Sequence, residues 1–245
     1  MTVLLLAGTR DARQIAQQFH TLKIPAIASL AGETDDPAKL PIPTVSGGFG
    51  GEAGFVEFLQ RNNIGMVVDA THPFASKITE RTYAICQALA LPFVRFERGR
   101  WSPETHDNWR YFDTIRDAAL ACREGTSVFI ATGRKTFSDF GELRGCKVFA
   151  RQIEHPQKPF PFANWYILTA RPPYSLDEER RVLRENGIDI LVAKDSGGVD
   201  GASKLIAARE LGVEVLLISR PNQPNEIESV SSYSQVIAWV EQHYK

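Results

Sequence analysis

Short apolar runs alternate with stretches of helical period along almost the whole chain. Residues 3–7 form the first such run. Residues 11–22 then place Ala12, Ile15, Ala16 and Phe19 on one helical face, which predicts a strand followed by an amphipathic helix. Residues 25–30 predict a second strand. Val45 begins a brief third strand that runs into Gly47-Gly48-Phe49-Gly50-Gly51, and a helix is predicted over 52–62. A buried strand at 66–70, a helix from about 75 to 89 and a strand at 93–96 complete the first series. Residues 99–109 break the rhythm with Trp101, Pro103 and an unpatterned polar stretch, so a boundary between domains 1–98 and 99–245 is placed there. The second series predicts strands at 127–131, 147–152, 166–170, 188–193 and 213–218, and helices at 114–123, 175–186, 202–211 and 233–244. Alternating strands and helices predict an α/β fold with parallel sheets and right-handed crossovers.

Composition narrows the function. A hydrophobic share of 43% and a charged share of 23% fit an ordinary globular protein. A formal charge of −1 argues against a nucleic-acid partner, so any basic site must be assembled locally by folding. Cys86, Cys122 and Cys146 are scattered, with neither a disulfide framework nor a zinc spacing, and are expected to be reduced thiols. Residues 2–7 are apolar but lack the basic flank and length of a signal peptide, and no apolar run approaches the roughly 20 residues that span a bilayer. A cytoplasmic protein without membrane association or a metal site is expected.

In a parallel sheet ligands bind beyond the carboxyl ends of the strands, so the residues just after each strand carry the information. Gly8-Thr9-Arg10-Asp11 follows the first strand and opens the first helix, where free N–H groups and the helix dipole suit a phosphate. Without a G-x-G-x-x-G pattern the turn is equally a strand–helix connection capped by Thr9 or Asp11. Four glycines in the five residues 47–51 exceed what positive φ values need, which favours a ligand passing close to the backbone. In Asp69-Ala70-Thr71-His72-Pro73-Phe74-Ala75, Pro73 is read in the first helical turn with Thr71 or His72 as cap. His72 could act as a general acid, but a lone loop histidine is more often a structural hydrogen-bonding group.

The second half repeats the theme with Thr132-Gly133-Arg134-Lys135 and with Lys194-Asp195-Ser196-Gly197-Gly198, followed by Lys204. Arg95, Arg98, Arg151, Arg171 and Arg220 also lie at or just past strand ends. Each cation alone could be a solvated charge or a surface ion pair of little energy. Together they read as a rim for a polyanionic ligand, with arginine suited to carboxylates and phosphates.

The segments at 8–13, 47–50, 69–75, 95–101, 131–135 and 194–198 give the chain a resemblance to the precorrin-6A reductase family of cobalamin biosynthesis. It departs mildly at Ala7, where many relatives have glycine, and at Asp11, where they have glutamate. The resemblance implies two Rossmann-like or flavodoxin-like domains, with the active site in the cleft between them. The reaction it implies is the reduction of precorrin-6A to precorrin-6B, by hydride transfer to the C18–C19 double bond of a polycarboxylate tetrapyrrole. Gly8, Thr9, Gly47, Gly48 and Phe49 would then cradle the dinucleotide, with Thr71, His72 and Pro73 on the nicotinamide side. Arg98, Thr132, Gly133, Arg134, Lys135, Arg171, Gly197, Gly198 and Lys204 would hold the substrate. A water, or a group of Lys194, Asp195 or Ser196, would deliver the proton.

NADPH is favoured over NADH because the second strand ends in Ala28-Ser29-Leu30-Ala31-Gly32, with Glu33 arriving late, while Arg10 stands in the first turn. A cation without the usual ribose-binding carboxylate suits a 2′-phosphate. The alternatives are a cobalt-precorrin-6A reductase using NADH, a methyltransferase with a nucleoside cofactor at the same turns, and a nucleotide-sensing module. The oligomeric state is not legible.

Overall fold

The computed structural model describes residues 1–32, 39–141, 143, 145–153, 162–199 and 201–244. The chain forms two compact units, one made of Met1–Gly99 with Pro221–Lys245 and the other of Arg100–Arg220. The assignment of the last 25 or so residues to a C-terminal domain is therefore corrected, because that segment returns to the first unit.

The first unit holds strands β1 (Thr2–Leu6), β2 (Ala26–Leu30), β3 (Thr44–Ser46), β4 (Ile64–Asp69), β5 (Phe93–Phe96) and β12 (Ser229–Val230). They form one sheet in the order β12-β5-β4-β1-β2-β3, and every pairing is parallel. In order of position this is the doubly wound arrangement 3-2-1-4-5-6, with its sixth strand supplied by the returning segment. Helices α1 (Arg10–Thr21), α2 (Glu52–Arg61), α3 (Ser76–Ala88) and α7 (Tyr233–His243) cover it. The central strands β1 and β4 read as near-continuous apolar runs because both of their faces are buried. Val3 and Leu5 pack with Ile15 and Phe19 of α1 and with Trp239 of α7. Leu4 and Leu6 point the other way, to Phe55 and Leu59 of α2 and Ile85 of α3.

The second unit holds β6 (Trp109–Phe112), β7 (Ser127–Ile130), β8 (Lys147–Gln152), β9 (Trp165–Thr169), β10 (Ile190–Lys194) and β11 (Glu214–Ile218). Their order is β6-β11-β10-β7-β8-β9, again parallel throughout. The five strands from β7 to β11 repeat the 3-2-1-4-5 winding, and here the sixth position is filled by a strand that precedes them. Helices α4 (Ile115–Leu120), α5 (Leu176–Glu185) and α6 (Ser203–Leu211) belong to this unit. Leu183 of α5 and Leu205 and Ala208 of α6 pack on Phe129, Leu191 and Val215.

The winding reverses between β1 and β4 in the first sheet and between β7 and β10 in the second. Ligands of doubly wound sheets bind at these reversals, beyond the carboxyl ends.

Candidate active site

At the first reversal, the turn after β1 is built by Gly8, Thr9 and Arg10. Gly8 has φ of +117°, which a side chain would strain. Thr9 is the N-cap of α1, where its Oγ1 accepts from the Ala12 N–H at 3.1 Å and donates to the Ala70 carbonyl at 2.7 Å. Arg10 is exposed as the first residue of α1. Behind it, the Tyr233 hydroxyl donates to Asp11 at 2.7 Å and the Arg98 guanidinium stands 3.1 Å from the same carboxylate. Burial first, and the bond to Asp11 second, push the Tyr233 hydroxyl up to about 12. Arg98, expected at the substrate, is thus engaged with Asp11 inside the first unit.

Asp69 ends β4 and is fully buried. Its Oδ1 accepts the Thr71 N–H at 2.9 Å, while Oδ2 accepts from Thr79 and from Arg95, both at 2.6 Å. Thr71 Oγ1 is buried and has no hydrogen-bond partner among the described residues. His72 is exposed, its Nδ1 accepts the Phe74 N–H at 3.3 Å and its carbonyl accepts the Ala75 N–H at 2.8 Å. The helix expected from about residue 75 begins at Ser76 with Ala75 as its N-cap, so Pro73 stands before its first turn. Neither Thr71 nor His72 caps it. They form instead an irregular turn, held by Asp69, between strand and helix.

The glycine loop divides by role. Gly47, Gly50 and Gly51 have φ of +103°, +77° and +92°, so backbone conformation accounts for three of its four glycines. Gly48 has no such requirement, and a Cβ there would meet nothing within 4 Å. Phe49 turns inward, its ring 4.8 Å from those of Phe55 and Phe58. Phe49, expected at the dinucleotide, has its side chain placed as an apolar anchor for the loop. Glu33, which entered the cofactor argument, lies outside the described residues.

At the reversal of the second sheet, Gly133 has φ of +93° and opens a 3-10 helix over Arg134–Phe140. The buried Thr132 hydroxyl stands 2.7 Å from that of Thr136, which donates to the Gly133 carbonyl at 2.8 Å. Arg134 and Lys135 are exposed. Beyond β10, Lys194 is half-buried and Asp195 is buried. The Asp195 carboxylate lies 3.8 Å from Arg100 and accepts the Trp101 N–H at 3.5 Å, and its carbonyl accepts from the buried Arg220 at 2.8 Å. The Ser196 N–H turns back to the Lys194 carbonyl at 2.7 Å, and Gly197 and Gly198 follow with φ of +65° and +76°.

Trp101 and Lys204 brace this segment. The indole N–H donates to the Gly198 carbonyl and the Lys204 ammonium to the Gly201 carbonyl, both at 2.7 Å, with the ammonium 5.4 Å from the Trp101 ring centroid. Burial lowers the Lys204 ammonium to about 8. Lys204, expected at the substrate, therefore holds the loop in place.

The cationic rim also needs correction. Arg95 and Arg151 point into the interior, because strand residues alternate between faces that are both covered. Arg151 makes a bidentate pair with the buried Glu179 at 2.8 and 3.0 Å and lies 3.7 Å over the Tyr174 ring. Of the cations singled out, Arg10, Arg134, Lys135 and Arg171 are exposed. Tyr233 is the site residue that the sequence did not single out, while Asp11 is read there only as a cap and Asp69 only as the start of its segment. For Asp69 a signal existed, as the one charge closing an apolar strand of Ile64-Gly65-Met66-Val67-Val68.

Among the described residues no group of three or more histidine, cysteine or acidic side chains could hold a metal ion, and no helix is long and apolar enough to cross a membrane. Burial pushes the Cys86 and Cys122 thiols up to about 12, away from nucleophilic chemistry.

Two doubly wound sheets, each with a glycine turn at its winding reversal, place the protein in the class of α/β proteins that take ligands at their strand ends. Within that class, residues 2–241 match the model of the family described as precorrin-6x reductase CbiJ/CobK, and the chain belongs to that family. It is 34% identical to the precorrin-6A reductase of Rhodobacter capsulatus, over 98% of this chain and 96% of that one. It is 37% identical to the precorrin-6A reductase of Rhodococcus erythropolis over 97% and 96%. The cobalt-precorrin-6A reductase of Priestia megaterium is 29% identical over 89% and 90%. A solved structure of a CobK precorrin-6A reductase superposes with a TM-score of 0.95 at 33% identity, covering 99% of this chain and 97% of that one.

Proposed function

We propose that the protein reduces precorrin-6A to precorrin-6B with NADPH. The observation that carries this reading is the first winding reversal, where an open glycine turn, the N-terminus of a 12-residue helix and the exposed Arg10 converge. The fit to a dinucleotide phosphate is physical: a turn with room beside its backbone, free helix N–H groups and a cation. From Ala26 through Gly32, β2 and its following residues present no carboxylate to a ribose 2′-hydroxyl, which favours the phosphorylated cofactor.

A reduced nicotinamide held there would supply a hydride to one carbon of the C18–C19 double bond, leaving a proton to be delivered to the other. The chain's residues supply position and a proton. Gly8, Thr9, Arg10 and Gly48 hold phosphates, and Thr71, His72 and Pro73 border the nicotinamide. Arg134, Lys135 and Arg171 offer charge to the acetate and propionate arms of the macrocycle. The segment Lys194-Asp195-Ser196, or a water it holds, delivers the proton to the second carbon, which balances the two-electron reduction. The metal-free substrate is favoured by kinship, since the curated precorrin-6A reductases are closer in sequence than the cobalt-precorrin-6A reductase.

A fluorescence titration separates this reading from a methyltransferase. NADPH should bind, and S-adenosylmethionine should leave its signal unchanged. Displacement of NADPH by S-adenosylmethionine would favour group transfer.

A further inference from the structure

We infer that Asp69 is a positioning residue for the dinucleotide edge, holding the Thr71-His72-Pro73 turn ready before any ligand arrives. The inference rests on the reading that this edge binds NADPH.

Asp69 and Arg95 face each other in register on β4 and β5, and each is almost wholly buried. Arg95 Nη1 donates both to Asp69 and to Thr79. Its Nε and Nη2 are buried with no hydrogen-bond partner among the described residues. An unmet buried donor is destabilising, and a buried ion pair often contributes no more than apolar residues of similar volume. Net stabilisation is therefore a poor account of this pair.

Its geometry gives a better one. The carboxylate divides its two oxygens. Oδ2 is taken by Arg95 and Thr79 in the interior, and Oδ1 accepts the Thr71 N–H just past the strand end. The residue between them, Ala70, gives its carbonyl to the Thr9 hydroxyl. The backbone after β4 is thus fixed on one side by a buried charge and on the other by the cap of the phosphate-facing helix. Orientation of this kind lowers the cost of ligand binding, because the turn is ordered beforehand.

The test uses paired double variants, so that no charge is left buried alone. Asp69→Leu with Arg95→Leu removes the pair and the anchor together. Asp69→Asn with Arg95→Leu removes the charges but restores an acceptor for the Thr71 N–H. The two should unfold at similar temperatures. The first should bind NADPH at least about tenfold more weakly than the parent, and the second within about threefold of it, the range seen for supporting residues around a site. Equal affinity of the first variant and the parent, or no recovery in the second, would overturn the inference. In the unliganded parent, the Thr71 amide should exchange its hydrogen at least about tenfold more slowly than an unprotected amide. Fast exchange there overturns the inference even if the variants do not fold. A parent that fails to bind NADPH defeats the underlying reading instead.

Discussion

The hydroxyl of Thr9 donates to the carbonyl of Ala70 at 2.7 Å, joining the turn after β1 to the turn after β4 across the winding reversal of the first sheet. The same oxygen caps α1 through the Ala12 N–H. One small side chain therefore sets both the helix terminus and the neighbouring turn. Thr9→Ala should cost about 1–2 kcal/mol in urea unfolding from the lost cap and the unmet carbonyl, whereas Thr9→Ser should recover most of it. An alanine variant as stable as the parent would show that the bond does not matter.

Arg10 is the candidate reader of the 2′-phosphate. Arg10→Ala should weaken NADPH binding about tenfold or more, the effect of losing a charge-assisted contact, and leave NADH unchanged. Equal weakening of both cofactors in direct titrations would remove Arg10 from that role.

The glycine loop offers an internal contrast. Gly48→Ala should leave stability within about 0.5 kcal/mol of the parent, since neither φ nor space opposes it. A loss of NADPH affinity at unchanged stability would mark a ligand passing over residue 48. Gly54→Ala should destabilise by about 1–3 kcal/mol or more, because the new Cβ would stand 1.8 Å from the Phe49 carbonyl. Urea unfolding of both variants tests the division.

Lys204 gives stability a dependence on pH with a definite sign. Its ammonium falls to about 8 in the folded chain, against 10.5 ordinarily. Between those values the unfolded chain binds more protons, so stability from this group rises as pH climbs from about 8 towards 10.5. Lys204→Met should remove that rise. Parallel unfolding curves for the two proteins across the window confirm or contradict it, depending on whether the gap between them changes.

Much of the fold was legible because the sequence signal was local. Val3–Leu6, Met66–Val68 and Ile190–Ala193 are apolar runs, and the helix after the first of them places Ala12, Ile15, Ala16 and Phe19 on one face. The missed strands carry weaker signals. Trp109–Phe112 is an edge strand with exposed Arg110 and Tyr111, and Ser229–Val230 has only two residues. The return of the C-terminal segment depends on Ser229 meeting Arg95, a pairing far apart in the chain. Two of the cations read as a rim turn inward for a related reason. Arg95 and Arg151 end strands as ligand-binding arginines would, but their partners, Asp69 and Glu179, are 26 and 28 residues distant. The turn motifs at 8–10, 71–73, 132–135 and 194–198 do fall at the two winding reversals, because β1, β4, β7 and β10 are the central strands of their sheets.

Reduction of the macrocycle at the expense of NADPH is the central claim. Its most direct test is anaerobic incubation of the purified protein with precorrin-6A and NADPH, following the nicotinamide absorbance and the tetrapyrrole spectrum together. The account expects one NADPH oxidised for each macrocycle reduced, since hydride transfer is a two-electron step. Persistence of NADPH beside authentic precorrin-6A, with the chromophore unchanged, would contradict it.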